Sequence, residues 1–486
     1  MVKQKINIVW LKRDLRLQDH APLYAAEKHG LPYLIIYIFD SELIRHPDTS
    51  LRHLQFIYHS LIDLNNQLKN FNKKVQICYG KSLDIFKAFF DNFEISTIWS
   101  YQESGIQKTW DRDKKILNLI IQQQAFWIEF PSNGIIRGIK NRQDWDKKWF
   151  STMNTPLITN TFSYQKEINN NVLFAIPPTF LEKLEVYPSS YQKAGEKAAW
   201  KYLGSFTENR GFTYAKHISK PNESRVSCSR ISVFLAWGNL SIKQAYQYVK
   251  NHKNFTPNKR AFSAFLTRLK WHCHFIQKFE VECSYENICV NKGYELLTRN
   301  NNTFLLKSWM DGSTGYPLID ACMKALKNTG WINFRMRAML VSFLCHHLDQ
   351  DWKNGAYFLA NQFLDYEPGI HYPQFQMQAG TTGINTIRIY NPIKQSMDHD
   401  PEGIFIKKWM PTLQKIPKEY IHEPWKMPPL EQEFCNIKIG KDYPTPIVNI
   451  IESGKIARKK IYGHRKNHKV KEEKKRILLT HTRNKS

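Results

Sequence analysis

The chain has 486 residues, 42% of them hydrophobic and 14% aromatic, which supplies large buried cores and excludes a mainly disordered protein. Its 70 Lys and Arg residues against 43 Asp and Glu give a net charge of +27, which favours a polyanionic partner. Apolar runs fall short of the roughly 18–20 residues that span a bilayer, and the chain starts in a strand-like segment, so we expect a cytoplasmic protein without membrane contact.

Strand-like and helix-like segments alternate through the first quarter of the chain. Helical spacing of apolar residues is found at Leu51–Leu68, Leu83–Phe90 and Trp110–Ile121. Such alternation predicts a parallel sheet with helices on both faces. No GxGxxG follows the first strand, so we expect a ligand at the carboxyl ends of the strands without an ordinary dinucleotide fingerprint. The predicted strands are Ile6–Trp10, Tyr33–Phe39, Val75–Tyr79, Ile95–Trp99 and Phe126–Phe130.

Composition then divides the chain into four parts. Residues 1–135 form the predicted α/β domain, and residues 136–200, punctuated by prolines, are interpreted as an interdomain connector over the surface. Residues 201–450 lose the strand signal and are predicted to be helical, and residues 451–486 form a basic tail. The longest predicted helices are Phe234–Lys250, Lys259–Glu280, Tyr316–Asn328, Trp331–His347 and Trp352–Phe363.

The tail carries much of the basic surplus. Between Ile451 and Ser486 there are 13 Lys and Arg against 3 Asp and Glu. A solvated basic surface is one interpretation, and contact with nucleic acid is the interpretation we favour.

The eight cysteines show no CxxC pair and no Cys/His spacing typical of zinc. We expect reduced thiols, mostly buried, and no metal site.

Several short motifs rich in Trp, Arg and Gly follow one another along both halves of the chain. This order resembles the photolyase/cryptochrome family of flavoproteins over about residues 6–465. The resemblance implies a Rossmann-like antenna domain followed by a helical domain that binds FAD. The motifs are Trp10–His20 (WLKRDLRLQDH), Cys228–Ser232 (CSRIS), Gly315–Pro317 (GYP), Trp331–Arg337 (WINFRMR), Arg388–Pro392 (RIYNP), Asp400–Gly403 (DPEG) and Trp409–Pro411 (WMP).

The activity that the resemblance implies is light-dependent repair of pyrimidine dimers in DNA by electron transfer from excited reduced FAD, with the dimer flipped out of the duplex. The alternative is a cryptochrome-type blue-light photoreceptor without repair activity. We expect a monomer whose partner is DNA containing pyrimidine dimers.

The same resemblance assigns cofactor contacts. Arg337 and Asp365 match a salt-bridged pair beside the isoalloxazine ring, where a cation stabilises reduced, anionic flavin. Glu367 is assigned to the cofactor as well, and His371 matches the residue that faces flavin N5 and could donate a proton there. The residues matched to phosphate and ribose contacts are Tyr214, Cys228, Ser229, Arg230, Ile231 and Ser232.

The lesion pocket departs from the family pattern. Trp271 matches the Trp that stacks on the flipped dimer, and His272 and Arg335 are assigned to DNA or lesion contacts. Arg268 stands where many repair enzymes carry a Glu that hydrogen-bonds the lesion, and Ala338 stands where many carry a Met. Arg cannot accept a hydrogen bond, although it could hold a phosphate or a thymine carbonyl. These two departures favour the photoreceptor, whereas Trp271 and the basic body favour repair.

The electron supply to the flavin departs too. Trp352 matches the middle member of the family's tryptophan chain, Phe375 falls at the flavin-proximal member, and no match is found for the outer one. Electrons would then pass through Tyr372, Trp331 or Trp309, or the flavin would be kept reduced by cellular reductants.

A second chromophore is expected after the fourth strand, along Tyr101–Asp113. Thr109 lies where folate-binding members tend to have Glu, so folate is disfavoured. A deazaflavin, a lumazine or no antenna stay open.

Overall fold

The computed structural model describes residues 3–168, 170 and 174–481. Its N-terminal part is built on a five-stranded sheet in the order β3-β2-β1-β4-β5, with every pair of neighbours parallel. Apolar Ile, Val and aromatic side chains make these strands, as predicted, because most of the sheet is covered on both faces; the edge strand β5 is the exception, with Phe126 68% and Ile128 46% exposed. The strands are β1 (Gln4–Leu11), β2 (Tyr33–Asp40), β3 (Val75–Gly80), β4 (Phe93–Tyr101) and β5 (Phe126–Phe130).

The strand order changes direction between β1 and β4, the position at which ligands bind in open α/β sheets. Amphipathic helices cover the sheet; α3 buries Leu61, Leu64 and Leu68 completely. The helices of this part are α1 (Ala21–His29), α2 (Ser41–Ile44), α3 (Leu51–Leu68), α4 (Ser82–Asn92) and α5 (Gln107–Gln122).

The predicted connector holds two helices, α6 (Trp145–Asn154) and α7 (Pro178–Glu185). Trp149 and Met153 of α6 are fully buried in the core cluster that also contains residues of the helical part. The segment therefore contributes core, where the sequence predicted a surface path.

The helical part surrounds a second large core and confirms the predicted α/β plus all-α architecture. Its helices are α8 (Glu196–Ser205), α9 (Tyr214–His217), α10 (Ser224–Ser227), α11 (Ser232–Ala236), α12 (Ile242–Lys250), α13 (Lys259–Val281), α14 (Thr303–Asp311), α15 (Pro317–Thr329), α16 (Phe334–Ser342), α17 (Trp352–Gln362), α18 (Pro368–Ala379), α19 (Pro392–His399), α20 (Ile404–Trp409) and α21 (Pro429–Phe434).

The helix predicted over Phe234–Lys250 is wrong, because it is two helices, α11 and α12. Gly238 breaks it with φ +74°, and a Cβ there would lie 2.2 Å from the carbonyl oxygen of Arg13. Ser241 then caps α12 through a capping box with Gln244. The turn packs the helical part against Arg13 and Asp14 of the Trp10–His20 motif, which follow β1.

The basic tail is folded as α22 (Ile450–His464) and α23 (His468–His481). Ile461 and Ile477 are fully buried and Val470 is 2% exposed, so both helices pack on the helical part. In the described ranges, no helix combines the length and the apolar composition that a membrane crossing requires.

Candidate functional site

An ion pair fixes the start of α16 to the loop before α18. Arg337 Nη2 donates to Asp365 Oδ2 at 2.8 Å, and the Asp365 side chain is 4% exposed. The Arg337 guanidinium also lies 4.0 Å from the centre of the Phe363 ring. Asn333 starts the helix, since its side chain accepts from the Met336 amide. The predicted pair is thus formed, with Arg337 packed on the Phe363 ring and carried by a capped helix.

Three buried polar atoms lack a partner among the described residues: Asp365 Oδ1 of this pair, His272 Nδ1 and Ser232 Oγ. Asp365 interacts electrostatically with His272, Arg230 and His371, which places these groups together. An unpaired buried polar group costs about 1–3 kcal/mol, so the unpaired atoms of Asp365 and His272, which lie near each other, indicate a polar ligand. FAD offers ring N–H groups, ribityl hydroxyls and phosphates, and the residues present fit it.

The Cys228–Ser232 segment forms a tight turn before α11. Cys228, Ser229 and Ile231 are buried, and Arg230 adopts a left-handed conformation with φ 60°. Arg230 stacks 4.0 Å from the Trp331 ring and donates to Gln192 Oε1 at 3.0 Å, and burial lowers its pKa to about 9. Arg230 therefore braces the turn, which leaves the Ser232 hydroxyl for a ligand.

Tyr214 is 5% exposed and meets the rings of Phe206 and Phe265 edge-on. Burial raises the pKa of its hydroxyl, which also interacts with Arg268. The neutral phenol can hydrogen-bond a phosphate or ribose oxygen.

His371 lies one helical turn inside α18. Its Nε2 donates to the carbonyl oxygen of Ala356 at 2.9 Å, and burial lowers its pKa to about 4. A carbonyl only accepts, so Nε2 carries the proton and Nδ1 has a lone pair. The proton on Nε2 is thus engaged by Ala356, and proton donation from His371 to flavin N5 stays a prediction. Glu367 begins the same helix by accepting from the Gly369 amide, and burial raises its pKa.

Trp271 lies on α13 with 46% of its surface exposed, which is unusual for an indole. Its ring packs on His274 and Phe275 at 5.3 and 5.8 Å, so one face rests on aromatic groups. Arg268, one turn earlier, is exposed and lies 4.8 Å from the Phe334 ring. The arrangement is an aromatic platform beside a cation.

Arg335 stands next to this platform on α16. Its guanidinium lies 5.4 Å from the Phe334 ring and donates to the Tyr390 hydroxyl at 3.4 Å, while its Nε is buried without a partner in the described ranges. His272, the neighbour of Trp271, points inward, and burial lowers its pKa to about 4. Its Nδ1 is buried without a partner among the described residues, and its assignment to DNA or lesion contacts stays a prediction.

The predicted electron route is interrupted at Phe375, which is 3% exposed and lies 6.3 Å from the Trp352 ring and 5.6 Å from His371. Trp352 Nε1 donates to Cys289 Sγ at 3.4 Å. Tyr372 is fully buried, 5.3 Å from the His371 ring. The candidates Trp309 and Trp331 are buried as well.

Two residues from the α/β part hold this site, and sequence reasoning did not assign them. Arg13 donates to the carbonyl oxygens of Ala236 and Tyr366 and lies 3.4 Å from Glu367 Oε2. Asp48 accepts from the Tyr366 hydroxyl at 2.6 Å. Arg13 belongs to the Trp10–His20 motif, but its partner segments lie more than 200 residues away along the chain, so these contacts left no sign in the sequence.

A cleft opens at the carboxyl ends of β1, β2 and β4, where the strand order predicts a ligand. It has a volume of about 110 Å³ and is lined by apolar side chains together with the charged side chains of Lys12, Arg13, Asp40, Asp48, Glu103 and Arg112. Arg112 is ion-paired with Glu103 and Asp113. Thr109 is 4% exposed and borders the cleft.

The described residues contain no group of three or more His, Cys, Asp or Glu side chains that could hold a metal ion.

Comparison with known proteins gives consistent matches. The model of the FAD binding domain of DNA photolyase matches residues 265–462, and the DNA photolyase model matches residues 7–142. The chain is 27% identical to a cryptochrome DASH of Synechocystis sp., over 93% of this chain and 97% of the relative. It is 26% identical to a deoxyribodipyrimidine photo-lyase of Alkalihalophilus pseudofirmus, over 91% and 95% of the two chains.

A crystal structure of a bacterial class III photolyase from Agrobacterium tumefaciens superposes with a TM-score of 0.84 at 22% identity, covering 96% of this chain and 99% of that one. The fold predicted from the sequence is thereby confirmed.

Proposed function

Because this chain belongs to the photolyase/cryptochrome family of FAD-binding flavoproteins, we propose that it is a light-dependent DNA photolyase that reverses UV-induced pyrimidine dimers. Trp271 carries the proposal: a half-exposed indole that rests on other rings and has an exposed arginine one turn away. Exposed aromatic faces beside cations bind unstacked bases and their phosphates.

Each group then has a defined task. Trp271 stacks on one base of the flipped dimer, and Arg268 and Arg335 neutralise the phosphates next to it. Bound and reduced, FAD would supply the light-driven electron-transfer chemistry for opening the cyclobutane ring. The Arg337–Asp365 pair, whose atoms are 2.8 Å apart, would hold the polar edge of its ring system. The buried Ser232 hydroxyl donates to a phosphate, and the aromatic packing around Phe375 excludes water.

The cleft at the strand ends is the proposed site of a second chromophore. Thr109 supplies no carboxylate for a folate, whereas the apolar wall and the Arg112 guanidinium suit a planar heteroaromatic ring such as a deazaflavin or a lumazine. Absorption bands of the purified protein in addition to those of the flavin, followed by chromatography of the released chromophore, test this assignment.

A cryptochrome-type photoreceptor is the second candidate. Arg268 favours it, because a guanidinium replaces a hydrogen-bond acceptor one turn before Trp271, and Ala338 removes the long side chain that many repair enzymes direct at the lesion.

The experiment is repair of an oligonucleotide with one defined cyclobutane dimer. The protein is chemically reduced beforehand, so that the interrupted aromatic chain at Phe375 has no influence, and blue light is compared with darkness. Light-dependent recovery of the two thymines supports the photolyase. A (6-4) lesion oligonucleotide is run in parallel; failure on both substrates with FAD bound refutes repair and favours the photoreceptor.

A further inference from the structure

The C-terminal helices α22 and α23 extend the described fold past residue 462, where the match to the FAD-binding model ends. Their apolar side is anchored, with Ile461 and Ile477 fully buried and Val470 2% exposed. A solvated basic tail would need no such core. The helices therefore present their remaining surface in a fixed orientation.

Polar contacts hold α23 to the end of α13. Arg476 donates to Glu282 at 2.7 Å and to the carbonyl oxygen of Val290 at 2.9 Å. The buried His481 contacts Glu282 and the Tyr285 hydroxyl, and burial lowers its pKa. Arg476 and His481 therefore face the protein, whereas Lys471, Lys474 and Lys475 of the same helix are exposed.

Each helix carries one exposed basic triad at i, i+3 and i+4. Like charges at this spacing share one flank and repel each other, which weakens an isolated helix. Across the described residues, no ion pair to any of these six side chains is formed, while Glu473 is already bonded to Arg476 and Glu472 is next to His468. The first triad is Lys455, Arg458 and Lys459, and the second is Lys471, Lys474 and Lys475.

Near the proposed lesion platform, α23 meets α13 through its C-terminal end. Ile477 and His481 of α23 line the same small cavity as Phe275 and Lys278 of α13. Phe275 in turn packs 5.8 Å from the Trp271 ring. Because one helical turn covers about 5.4 Å, the end of α23 meets α13 within about two turns of Trp271.

We propose that the two triads form a second phosphate-binding surface that engages the backbone of the DNA duplex beside the lesion. This inference rests on the proposed function, since it takes the DNA that Trp271 reads. The six side chains are exposed cations on two packed helices and form no ion pair with another described residue, so their charge suits the backbone phosphates and provides no means of recognising a base. The surface thus adds affinity equally for damaged and intact duplex, and lesion preference stays with Trp271.

The test compares two triple variants in the full-length protein. One is Lys471→Gln, Lys474→Gln and Lys475→Gln. The control is Lys87→Gln, Lys114→Gln and Lys115→Gln on α4 and α5, which removes the same charge from exposed positions of the α/β part. Binding to a dimer-containing and an intact duplex is measured from 50 to 200 mM salt, with thermal melting as the fold check.

In the α23 variant we expect at least fivefold weaker binding to both duplexes, an unchanged ratio between them, and a smaller salt slope. Each lost phosphate contact lowers the slope by about 0.9, so the triad lowers it by up to about 2.7. The control should keep the wild-type affinity and slope.

Three results would overturn the inference: equal weakening in both variants, no weakening in the α23 variant, or triad-dependent binding to anionic phosphatidylserine vesicles without an effect on DNA. The wild-type protein separates this failure from that of the proposed function. If the wild type prefers the dimer duplex and the α23 variant binds as the wild type does, only the role of the triads is refuted. If the wild type binds neither duplex, both the role of the triads and the proposed function are refuted.

Discussion

Trp271→Ala tests the lesion platform directly. The indole is 46% exposed and contacts His274 and Phe275, so its removal exposes little core and should leave the melting temperature near the wild-type value. Base–aromatic stacking contributes about 1–3 kcal/mol per base, which corresponds to a roughly five- to 150-fold loss of affinity. The loss should fall on dimer DNA alone, because an intact duplex keeps its bases stacked.

The assay is a fluorescence titration of matched duplexes with and without one cyclobutane dimer, at constant salt. Trp271→Phe keeps a flat apolar face and should retain most of the discrimination, while the salt slope should stay unchanged in both variants because no charge is removed. The reasoning is refuted if Trp271→Ala binds both duplexes as the wild type does, or if it weakens them equally.

Three further predictions concern the cofactor side of the fold. His371 is buried and its pKa is lowered to about 4, so its neutral form stabilises the folded state fully above about pH 6.5. This stabilisation is lost as the pH falls toward 4. In His371→Asn, whose amide can still donate to the Ala356 carbonyl, the melting temperature should therefore decline less over this pH range. Phe375→Trp should speed photoreduction of the oxidised flavin under blue light, at a cost of about 1–3 kcal/mol for overpacking a side chain that is 3% exposed; an unchanged reduction rate in a folded variant would count against the aromatic route. Gly238→Ala should destabilise the fold by more than about 1 kcal/mol in urea unfolding, because φ is +74° and the new Cβ would lie 2.2 Å from the Arg13 carbonyl oxygen; wild-type stability would show that the turn relaxes freely.

Local pattern alone located the sheet. Continuous apolar runs such as Tyr33–Phe39 can be buried only between two covering layers, so each predicted strand is present. The long helices α3 and α13 were predicted to within a residue or two, since their apolar spacing extends over many turns. The helix predicted over Phe234–Lys250 is interrupted at Gly238. Helix propensity could not predict this break, because it reflects the backbone of Arg13, which packs against the turn.

The candidate site divides in the same way. The family resemblance predicted Arg337 and Asp365 as a pair, which is formed at 2.8 Å. It also predicted Trp271 as a stacking residue, and that role stays a prediction. Whether His371 donates or accepts could not be predicted, because the Ala356 carbonyl that fixes its tautomer lies on another helix. The clamp of Arg13 on Tyr366 and Glu367 joins segments about 350 residues apart and leaves no periodic trace in either one.

Fold class and family could be predicted from the sequence, because strand burial, helical spacing and ordered motifs are local properties of the chain. The sequence did not reveal which polar groups lack a partner among the described residues, such as Asp365 Oδ1, or that the basic tail packs against α13. Hydrogen-bond satisfaction and surface orientation depend on atoms contributed by distant segments, and these meet only when the chain has folded.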